Sequence, residues 1–337
     1  MIPELNMYSN VVFHPSQTDL QKSTFLVTGG AGFIGSHIVD YLVTHGAFKV
    51  KVLDNFSEGS RNNLQHLMHS SNLEIIEGDC CDAPQVEKIM AGVDYVSHQA
   101  ALGSVPRSIE FPLATNHANV TGFLTVLHAA KNAGVKRMVF ASSSSVYGDH
   151  PQLPKQEHIT GNLLSPYAVS KKVNELYAEV FHRVYGLEVL DLRYFNIFGP
   201  RQKPDGPYAA VIPLFLKAIK SGESVFINGD GLQTRDFTYV ENAVQANVKA
   251  LFQADNDAFG KIFNIAVGDR VTVLSMYAEL CKLGGVTPQA RHRDNRAGDI
   301  RDSLADITQA RKHLSYDPGV KMNEGLKRTF DWFMNKA

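Results

Sequence analysis

A glycine-rich turn near the amino terminus constrains the fold of this chain more than any other feature. The apolar segment STFLVT is followed by Gly29, Gly32 and Gly35, spaced G-x-x-G-x-x-G, and residues with helical apolar spacing come next. A strand, a glycine turn and a helix in this order are typical of a dinucleotide-binding unit, in which the backbone approaches a pyrophosphate at the helix N-terminus. The alternative is a glycine turn that joins strand to helix and holds no ligand.

Strand-like and helical segments alternate along residues 24–196. Strands are predicted at STFLVTGG, KVKVLDN, LEIIEGD, VDYVSHQAA, VKRMVFASS, LEVLDLRYFNIFGP and, later, VFINGD, and helices at 33–46, 118–132 and 166–185. Such alternation indicates a parallel sheet covered by helices on both faces. The pattern loosens from about residue 197, which predicts a smaller lobe that closes over the first.

Composition narrows the choice of partners. The chain has 337 residues and a net charge of −1, so no broad attraction to nucleic acid or to a membrane surface is expected. No apolar run reaches the roughly 20 residues that span a bilayer, and no signal peptide is expected. Cys80, Cys81 and Cys281 fit neither a disulfide framework nor a zinc site, which predicts a cytoplasmic protein without a metal.

Asp54 ends the second predicted strand, about 20 residues beyond the glycine turn. A carboxylate at this position accepts hydrogen bonds from the adenosine ribose and repels a 2′-phosphate, which favours NAD over NADP. Arg61 lies close in sequence and is the residue that could favour NADP instead.

Tyr167 and Lys171 are four residues apart and therefore share one face of the predicted helix. A free tyrosine has a pKa near 10, and a neighbouring ammonium is expected to lower that pKa so that the phenolate can act as a general base. The same spacing also occurs by chance on amphipathic helices. The glycine turn upstream and the serine cluster Ser142–Ser145 between the two features favour the catalytic interpretation.

In these residues the chain resembles the extended short-chain dehydrogenase/reductase family, and within it the sugar-nucleotide 4-epimerases. The resemblance extends from residue 24 to about residue 335 and rests on TGGAGFIG, SSSSVYGD, YAVSK, RYFNIFGPRQ, TRDFTYV and RAGDIRDS in this order. It implies an α/β fold, with a Rossmann-type doubly wound parallel sheet and a smaller C-terminal α/β substrate lobe. The implied division is an arm at 1–22, an NAD-binding domain at 23–196 with strands from later segments, and mainly a UDP-sugar lobe at 197–337.

The resemblance also implies the chemistry. NAD stays tightly bound and is regenerated each cycle, while Tyr167 takes the proton of the sugar 4-hydroxyl with Ser143 as relay and Ser144 as helper. Hydride passes from C4 to NAD, the 4-keto sugar turns over, and hydride returns to its other face. Lys171 also grips the nicotinamide ribose. The implied cofactor contacts are Gly29, Gly32, Phe33, Ile34, Asp54, Asn55, Asp79, Cys80, Gln99, Ala100, Ala101, Asn119, Tyr167, Lys171 and Tyr194.

The implied substrate residues come from several motifs. Arginine suits a UDP pyrophosphate because its planar fork pairs two oxygens. The expected substrate contacts are Gly103, Ser104, Ser142, Ser143, Asn196, Gln202, Val225, Ile227, Arg235, Arg296, Asp299 and Ser303. For Ser142 and Ser145, packing and hydrogen bonding at a strand end is the alternative role.

The sugar is inferred from what surrounds the tyrosine and from Ser303. Dehydratase and decarboxylase relatives carry a carboxylate just before V-Y-G, whereas none occurs between Ser142 and Tyr147 here. Relatives limited to plain hexoses carry a tyrosine where this chain has Ser303, so UDP-GlcNAc and UDP-GalNAc are the expected pair, with their uronic acids also open. The alternatives are a UDP-glucuronate 4-epimerase, using Arg107 or Arg201, a net oxidoreductase, and a binding protein without turnover. A homodimer through helices 118–132 and 166–185, paired as a four-helix bundle, is expected from the resemblance.

Overall fold

The computed structural model describes residues 17–205, 209–294 and 300–335. The strands in these ranges are β1 (Thr24–Thr28), β2 (Lys49–Asp54), β3 (Leu73–Glu77), β4 (Tyr95–His98), β5 (Arg137–Ser143), β6 (Glu188–Tyr194), β7 (Ile197–Phe198), β8 (Val225–Asn228), β9 (Thr234–Arg235), β10 (Thr238–Tyr239), β11 (Ile262–Ile265), β12 (Val271–Thr272) and β13 (Ala290–Arg293). The α-helices are α1 (Gln17–Gln21), α2 (Phe33–Thr44), α3 (Ala83–Met90), α4 (Val105–Glu110), α5 (Pro112–Asn116), α6 (Gly122–Asn132), α7 (Pro166–Tyr185), α8 (Val211–Ser221), α9 (Val240–Phe252), α10 (Val273–Gly284), α11 (Thr308–Leu314) and α12 (Met322–Asn335). Short 3₁₀ helices lie at Arg61–Leu67, Ser144–Tyr147 and Asn256–Ala258, and a π-helical turn at His117–Thr121.

Seven parallel strands form the main sheet in the order β3-β2-β1-β4-β5-β6-β11. The glycine turn follows β1, where the strand order reverses, and open α/β sheets bind ligands at the carboxyl ends of the strands at such a point. Strands β1, β5 and β6 are buried along almost their whole length, as expected for a parallel sheet covered on both faces. The predicted fold class is confirmed.

Helices cover both faces of this sheet. Residues of α2, α9 and α11 belong to the hydrophobic core on one face, and residues of α3, α6 and α7 to the core on the other. A third core joins α8, α10, α12 and β8 in the smaller lobe. The chain after residue 197 is therefore divided between the two lobes, because α9, β11 and α11 complete the larger domain.

The predicted helix at 166–185 is confirmed as α7. Ser165 caps it by accepting a hydrogen bond from Ala168 N at 3.1 Å, and Gly186 ends it in a left-handed conformation. The predicted helix at 118–132 is instead divided into the π-helical turn and α6. The predicted strand VFING forms β8, which pairs in parallel with β13 outside the main sheet.

Candidate active site

A cavity of about 690 Å³ lies at the carboxyl ends of the central strands. Its wall includes most of the residues that the sequence singled out for the cofactor and the substrate. These are Gly29, Gly32, Phe33, Ile34, Asp54, Asn55, Asp79, Cys80, Gln99, Ala100, Ala101, Gly103, Ser142, Ser143, Ser144, Tyr167, Lys171, Tyr194, Asn196, Gln202, Arg235 and Ser303. The fold thus gathers side chains from both halves of the chain around one cavity.

The glycine turn is closely packed beneath this cavity. Gly29 has a φ of +65°, and a Cβ atom there would lie 2.7 Å from Ala100 N. A Cβ atom on Gly35 would lie 2.2 Å from Gly29 O, so neither position accepts a larger residue without a backbone shift. The first turn of α2 therefore faces the cavity with Gly32, Phe33 and Ile34 in its wall, a cradle that fits a dinucleotide pyrophosphate.

Asp54 is held rigidly beside this cradle. Its two carboxylate oxygens accept hydrogen bonds from Ala31 N at 2.9 Å and Phe56 N at 2.8 Å, and it is 7% exposed. Burial raises its pKa, which these backbone bonds oppose. Arg61 pairs with Glu77 at 2.5 Å, so its charge is engaged by that carboxylate. This arrangement supports a ribose with a free 2′-hydroxyl.

Ser143 and Tyr167 meet at the opposite end of the cavity. Ser143 ends β5 and accepts a hydrogen bond from Ser145 N at 3.1 Å, while Tyr167 lies in the first turn of α7. Both side chains line the same end of the cavity, and Ser143 is close enough to lower the Tyr167 pKa. Lys171, one turn further along α7, is 3% exposed, and its Nζ donates to Ala141 O at 2.6 Å. The Nζ atom lies 5.9 Å from the centre of the Tyr167 ring.

The pKa of Tyr167 differs from the sequence expectation. Burial raises this pKa and the neighbouring Ser143 side chain lowers it, whereas Lys171 was expected to lower it. Burial also lowers the pKa of Lys171 to about 8, against the opposing charges of Asp191 and Glu175. Desolvation is therefore the largest influence on both groups, because the helix buries them side by side.

A buried ionic network supports the serine cluster and was missed by the sequence reasoning. Ser142 donates to Glu175 Oε1 at 2.9 Å, and Glu175 forms a two-pronged ion pair with Arg193. Asp191 is 2% exposed, and neither of its carboxylate oxygens has a hydrogen-bond partner among the described residues. Burial raises its pKa well above the usual range. Asp191 and Arg193, both in the interior of the predicted strand, were the available signal.

Two predicted contact residues support the wall from outside. Asn119 is 1% exposed and exchanges hydrogen bonds with the backbone of Leu102, accepting from its N at 2.8 Å. Ser104 caps α4 by accepting from Arg107 N at 3.3 Å. Neither residue lines the cavity, since each is used to shape the loop that follows β4.

Val225 and Ile227 also lie outside the cavity wall. Both are buried in the core of the smaller lobe, at 3% and 1% exposure. Phe226, between them on β8, is 55% exposed, and the Arg293 guanidinium lies 5.8 Å from its ring centre. Successive side chains of a strand point to opposite faces, so Phe226 lies on the exposed face of β8 while Val225 and Ile227 lie on its buried face.

Other predicted substrate residues are fixed by backbone contacts. Asn196 donates to Asp236 O at 3.1 Å, and Arg235 donates to Thr234 O at 2.8 Å and Arg301 O at 3.0 Å. The predicted contacts Arg296 and Asp299 lie outside the described residues.

Ser303 lies on a segment that crosses the site, residues 300–307, which we call the crossing segment. Ser303 N donates to Thr234 O at 3.1 Å, and Lys155 N donates to Leu304 O at 2.7 Å. Isolated β-bridges join Thr234 to Asp302 and Lys155 to Ala305. Ser303 is thus held between two backbone attachments, one to Thr234 and one to Lys155 in the loop that follows the serine cluster.

In the described ranges, no group of three or more His, Cys, Asp or Glu side chains is arranged to hold a metal ion. None of the described helices has the length and apolarity needed to cross a membrane.

Comparisons with known proteins agree with this geometry. The model of the NAD dependent epimerase/dehydratase family matches residues 25–266. The UDP-N-acetylglucosamine 4-epimerase of Methanobrevibacter ruminantium M1, solved in complex with UDP-N-acetylmuramic acid, is 42% identical, with a TM-score of 0.89 over 94% of this chain and 100% of that one. The UDP-glucose 4-epimerase of Thermotoga maritima, solved with UDP-glucose, is 38% identical, with a TM-score of 0.86 over 92% and 98%.

A relative found by sequence comparison supports the same conclusion. The UDP-glucose 4-epimerase of Mycolicibacterium smegmatis is 35% identical over 315 residues, which cover 93% of this chain and 99% of the relative. Since the family model covers well over half of the chain and the likeness extends over nearly all of it, the chain belongs to the NAD-dependent epimerase/dehydratase family, with NAD as its cofactor.

Proposed function

We propose that this protein is a UDP-sugar 4-epimerase that interconverts UDP-GlcNAc and UDP-GalNAc through a transient 4-keto sugar. The observation that carries the proposal is that Ser143, Tyr167 and the small side chain of Ser303 line one cavity. The pair supplies a route for one proton, and the small residue leaves room for a 2-acetamido group.

The residues divide the work as follows. Tyr167 accepts the proton of the 4-hydroxyl, and Ser143 orients that hydroxyl and relays the proton. When bound, oxidised NAD supplies a hydride acceptor for C4 and a positive charge beside the phenol. That charge opposes the burial that raises the Tyr167 pKa. Lys171 holds the nicotinamide ribose. Once the 4-keto sugar has turned its other face and C4 has regained the hydride, Tyr167 returns the proton to the oxygen, which gives the inverted 4-hydroxyl.

The serine cluster favours epimerisation over loss of water or of carbon dioxide. Those reactions need a further acid or base beside the sugar, and no carboxylate occurs between Ser142 and Tyr147. Glu175 lies behind Ser142, but it is 3% exposed and bonded to Arg193, and it is not part of the cavity wall. It is therefore not placed to exchange protons with a sugar.

A UDP-uronate is the second candidate substrate. Of the arginines expected to meet a C6 carboxylate, Arg107 pairs with Glu58 at 2.6 Å and Arg201 pairs with Asp40 at 2.5 Å. The position of Lys203 favours this candidate, because this positively charged side chain is exposed and lies in the cavity wall. The engagement of both arginines supports a neutral C6 group as the main substrate.

Proton NMR of the anomeric signals tests the proposal directly. UDP-GlcNAc, UDP-GlcNAcA, UDP-Glc and UDP-GlcA are incubated in parallel with the purified protein, and we expect UDP-GlcNAc to equilibrate fastest. Turnover of UDP-GlcA alone would replace the proposal with the uronate candidate. Steady growth of absorbance at 340 nm would indicate a net oxidoreductase. Bound NAD without turnover of any of the four would leave a binding protein and remove the roles given to Ser143 and Tyr167.

The proposed assembly is a homodimer through α7. Val169, Leu176, Val180 and Val184 are exposed on this helix, and Ile109, Phe111 and Leu113 are exposed on and between the neighbouring helices α4 and α5. These exposed apolar side chains form a face that supports burial against a second copy of the chain. Light scattering after size exclusion tests this: Val180→Asp should give a monomer, while Leu214→Asp, an exposed apolar site on α8, should not. A monomeric unmodified protein would contradict the proposal.

A further inference from the structure

Residues Gly199–Lys203, which we call the RQ strap, run from β7 into the cavity wall and are fastened to helix α2. His37 Nε2 donates to Pro200 O at 3.0 Å, and Arg201 Nη1 donates to Ser36 Oγ at 3.2 Å. Arg201 Nη2 lies 2.5 Å from Asp40 Oδ2. Ser36 and Asp40 are one helical turn apart, so a single face of α2 holds the strap. This is the same helix whose first turn faces the pyrophosphate cradle.

The ion pair is buried on both sides. Arg201 is 9% exposed and Asp40 is 5% exposed, and the second oxygen of Asp40 lies 2.6 Å from His66 Nε2. Burial acts to raise the pKa of Asp40, but His66 and Arg201 together hold it below its usual value. Burial lowers the pKa of His37 to about 3, which keeps that ring neutral. The pair is thus ionised at neutral pH, and removing one partner leaves an uncompensated charge.

The backbone of the strap needs this anchor. Arg201 has a φ of +69°, a left-handed conformation that costs free energy in a residue other than glycine unless its surroundings hold it. The next residue, Gln202, lines the cavity and donates through Nε2 to Ile197 O at 3.3 Å. Its Oε1 atom is buried and has no hydrogen-bond partner among the described residues. A buried acceptor of this kind in a cavity wall is suited to a donor from a ligand.

We propose that the Asp40–Arg201 ion pair is a positioning device that presents Gln202 to the sugar of the substrate. Arg201 acts through Gln202 and is not the receptor for a C6 carboxylate. The inference deepens the proposed function and rests on it: the helix that cradles the cofactor also sets the position of a residue that recognises the sugar.

The test separates sugar recognition from nucleotide recognition. In Arg201→Lys, which keeps the positive charge but cannot reach both partners, we expect KM for UDP-GlcNAc to rise about tenfold. The inhibition constant of UDP, which has no sugar, and the NAD content should stay within about twofold of the unmodified protein. If the ion pair only stabilised the fold, Arg201→Lys would weaken the binding of UDP and of UDP-GlcNAc to the same extent. The matched control is Arg328→Lys, which alters an ion pair with buried Glu241 and should leave all three quantities unchanged.

A double-mutant cycle tests the route through Gln202. If Arg201 acts through that side chain, the double variant should have nearly the same KM for UDP-GlcNAc as Gln202→Ala alone. Independent, additive effects would overturn the proposal, as would equal losses of UDP and UDP-GlcNAc affinity. If Arg201→Lys does not fold, Ser36→Ala removes the contact with Nη1, together with the Ser36 Oγ bond to Phe33 O, and should show a smaller rise in KM with the same pattern.

Failure of the proposed function gives a different result. If the unmodified protein epimerises none of the four sugars, calorimetric dissociation constants for UDP and UDP-GlcNAc replace the kinetic ones. A selective loss of UDP-GlcNAc binding in Arg201→Lys would still support the positioning role, and an unselective loss would reject it.

Discussion

Glu175 and Arg193 form a two-pronged ion pair beneath the serine cluster, with distances of 2.8 Å from Nε to Oε1 and from Nη2 to Oε2. Both side chains are almost fully buried, at 1% and 0% exposure. Removing one partner of a buried pair leaves an unpaired charge, so Glu175→Gln should lower the free energy of unfolding by about 3–5 kcal/mol. Urea unfolding measures this. Glu179→Gln, at an exposed pair on the same helix, should change stability by less than about 0.5 kcal/mol. Equal losses in the two variants would contradict the assignment.

Tyr167→Phe should remove turnover and keep the cofactor. The phenol is the proposed base, and loss of a positioned acid–base group typically lowers kcat by about 10²–10⁴-fold. The ring itself remains in the first turn of α7, so NAD content, measured from the absorbance ratio at 260 and 280 nm, should not change. Tyr185→Phe, at an exposed position of the same helix, serves as the control and should be fully active. An active Tyr167→Phe enzyme would rule out the proposed base.

The buried Lys171 predicts a pH-dependent stability. Burial lowers its pKa to about 8 from 10.5, so between these pH values the unfolded chain keeps a proton that the folded chain has lost. Stability therefore rises with pH across this interval, and the cost of burying the charge is fully present below it. Lys171→Met has no such cost, and its stability relative to the unmodified protein should fall by about 3 kcal/mol between about pH 7 and pH 10.5.

Urea unfolding at several pH values measures this difference. Lys88→Met, at an exposed position on α3, should follow the pH dependence of the unmodified protein. A constant difference between Lys171→Met and the unmodified protein would show that the lysine keeps its solution pKa.

Ser303→Tyr should change the choice of sugar. The larger side chain would fill the space proposed for the 2-acetamido group, and overpacking of this kind typically costs about 1–3 kcal/mol. We therefore expect kcat/KM for UDP-GlcNAc to fall by about 10–100-fold and that for UDP-Glc to change much less. Ser303→Ala should retain the preference. If the tyrosine variant loses both sugars equally, Ser303 does not face the acetamido group.

The cofactor half of the site could be predicted from sequence because its residues are close to one another in the chain. Gly29, Gly35 and Asp54 follow adjacent strands of one βαβ unit, and the spacing alone places them at one edge of the sheet. Likewise, Tyr167 and Lys171 lie on one confirmed helix.

The remaining features depend on contacts between distant segments. Nothing in the local pattern pairs Asp40 with Arg201 or Glu175 with Arg193. Which side of β8 is buried depends on where the third core lies, and this is why the sequence pattern could not show that Val225 and Ile227 lie in that core and not in the cavity wall. The pKa of Tyr167 depends on how deeply α7 is buried, and sequence spacing carries no information about depth.

The attachments of the crossing segment have a consequence for how such enzymes diverge. Residues 303–306 are fixed through main-chain atoms, which pair with Thr234, Lys155 and the Asp236 carboxylate. The side chain of Ser303 takes part in none of these bonds, so mutation can exchange it while the scaffold stays in place. Under the proposed role of Ser303, a single substitution there would give a lineage a new sugar preference without compensating changes in the cofactor domain.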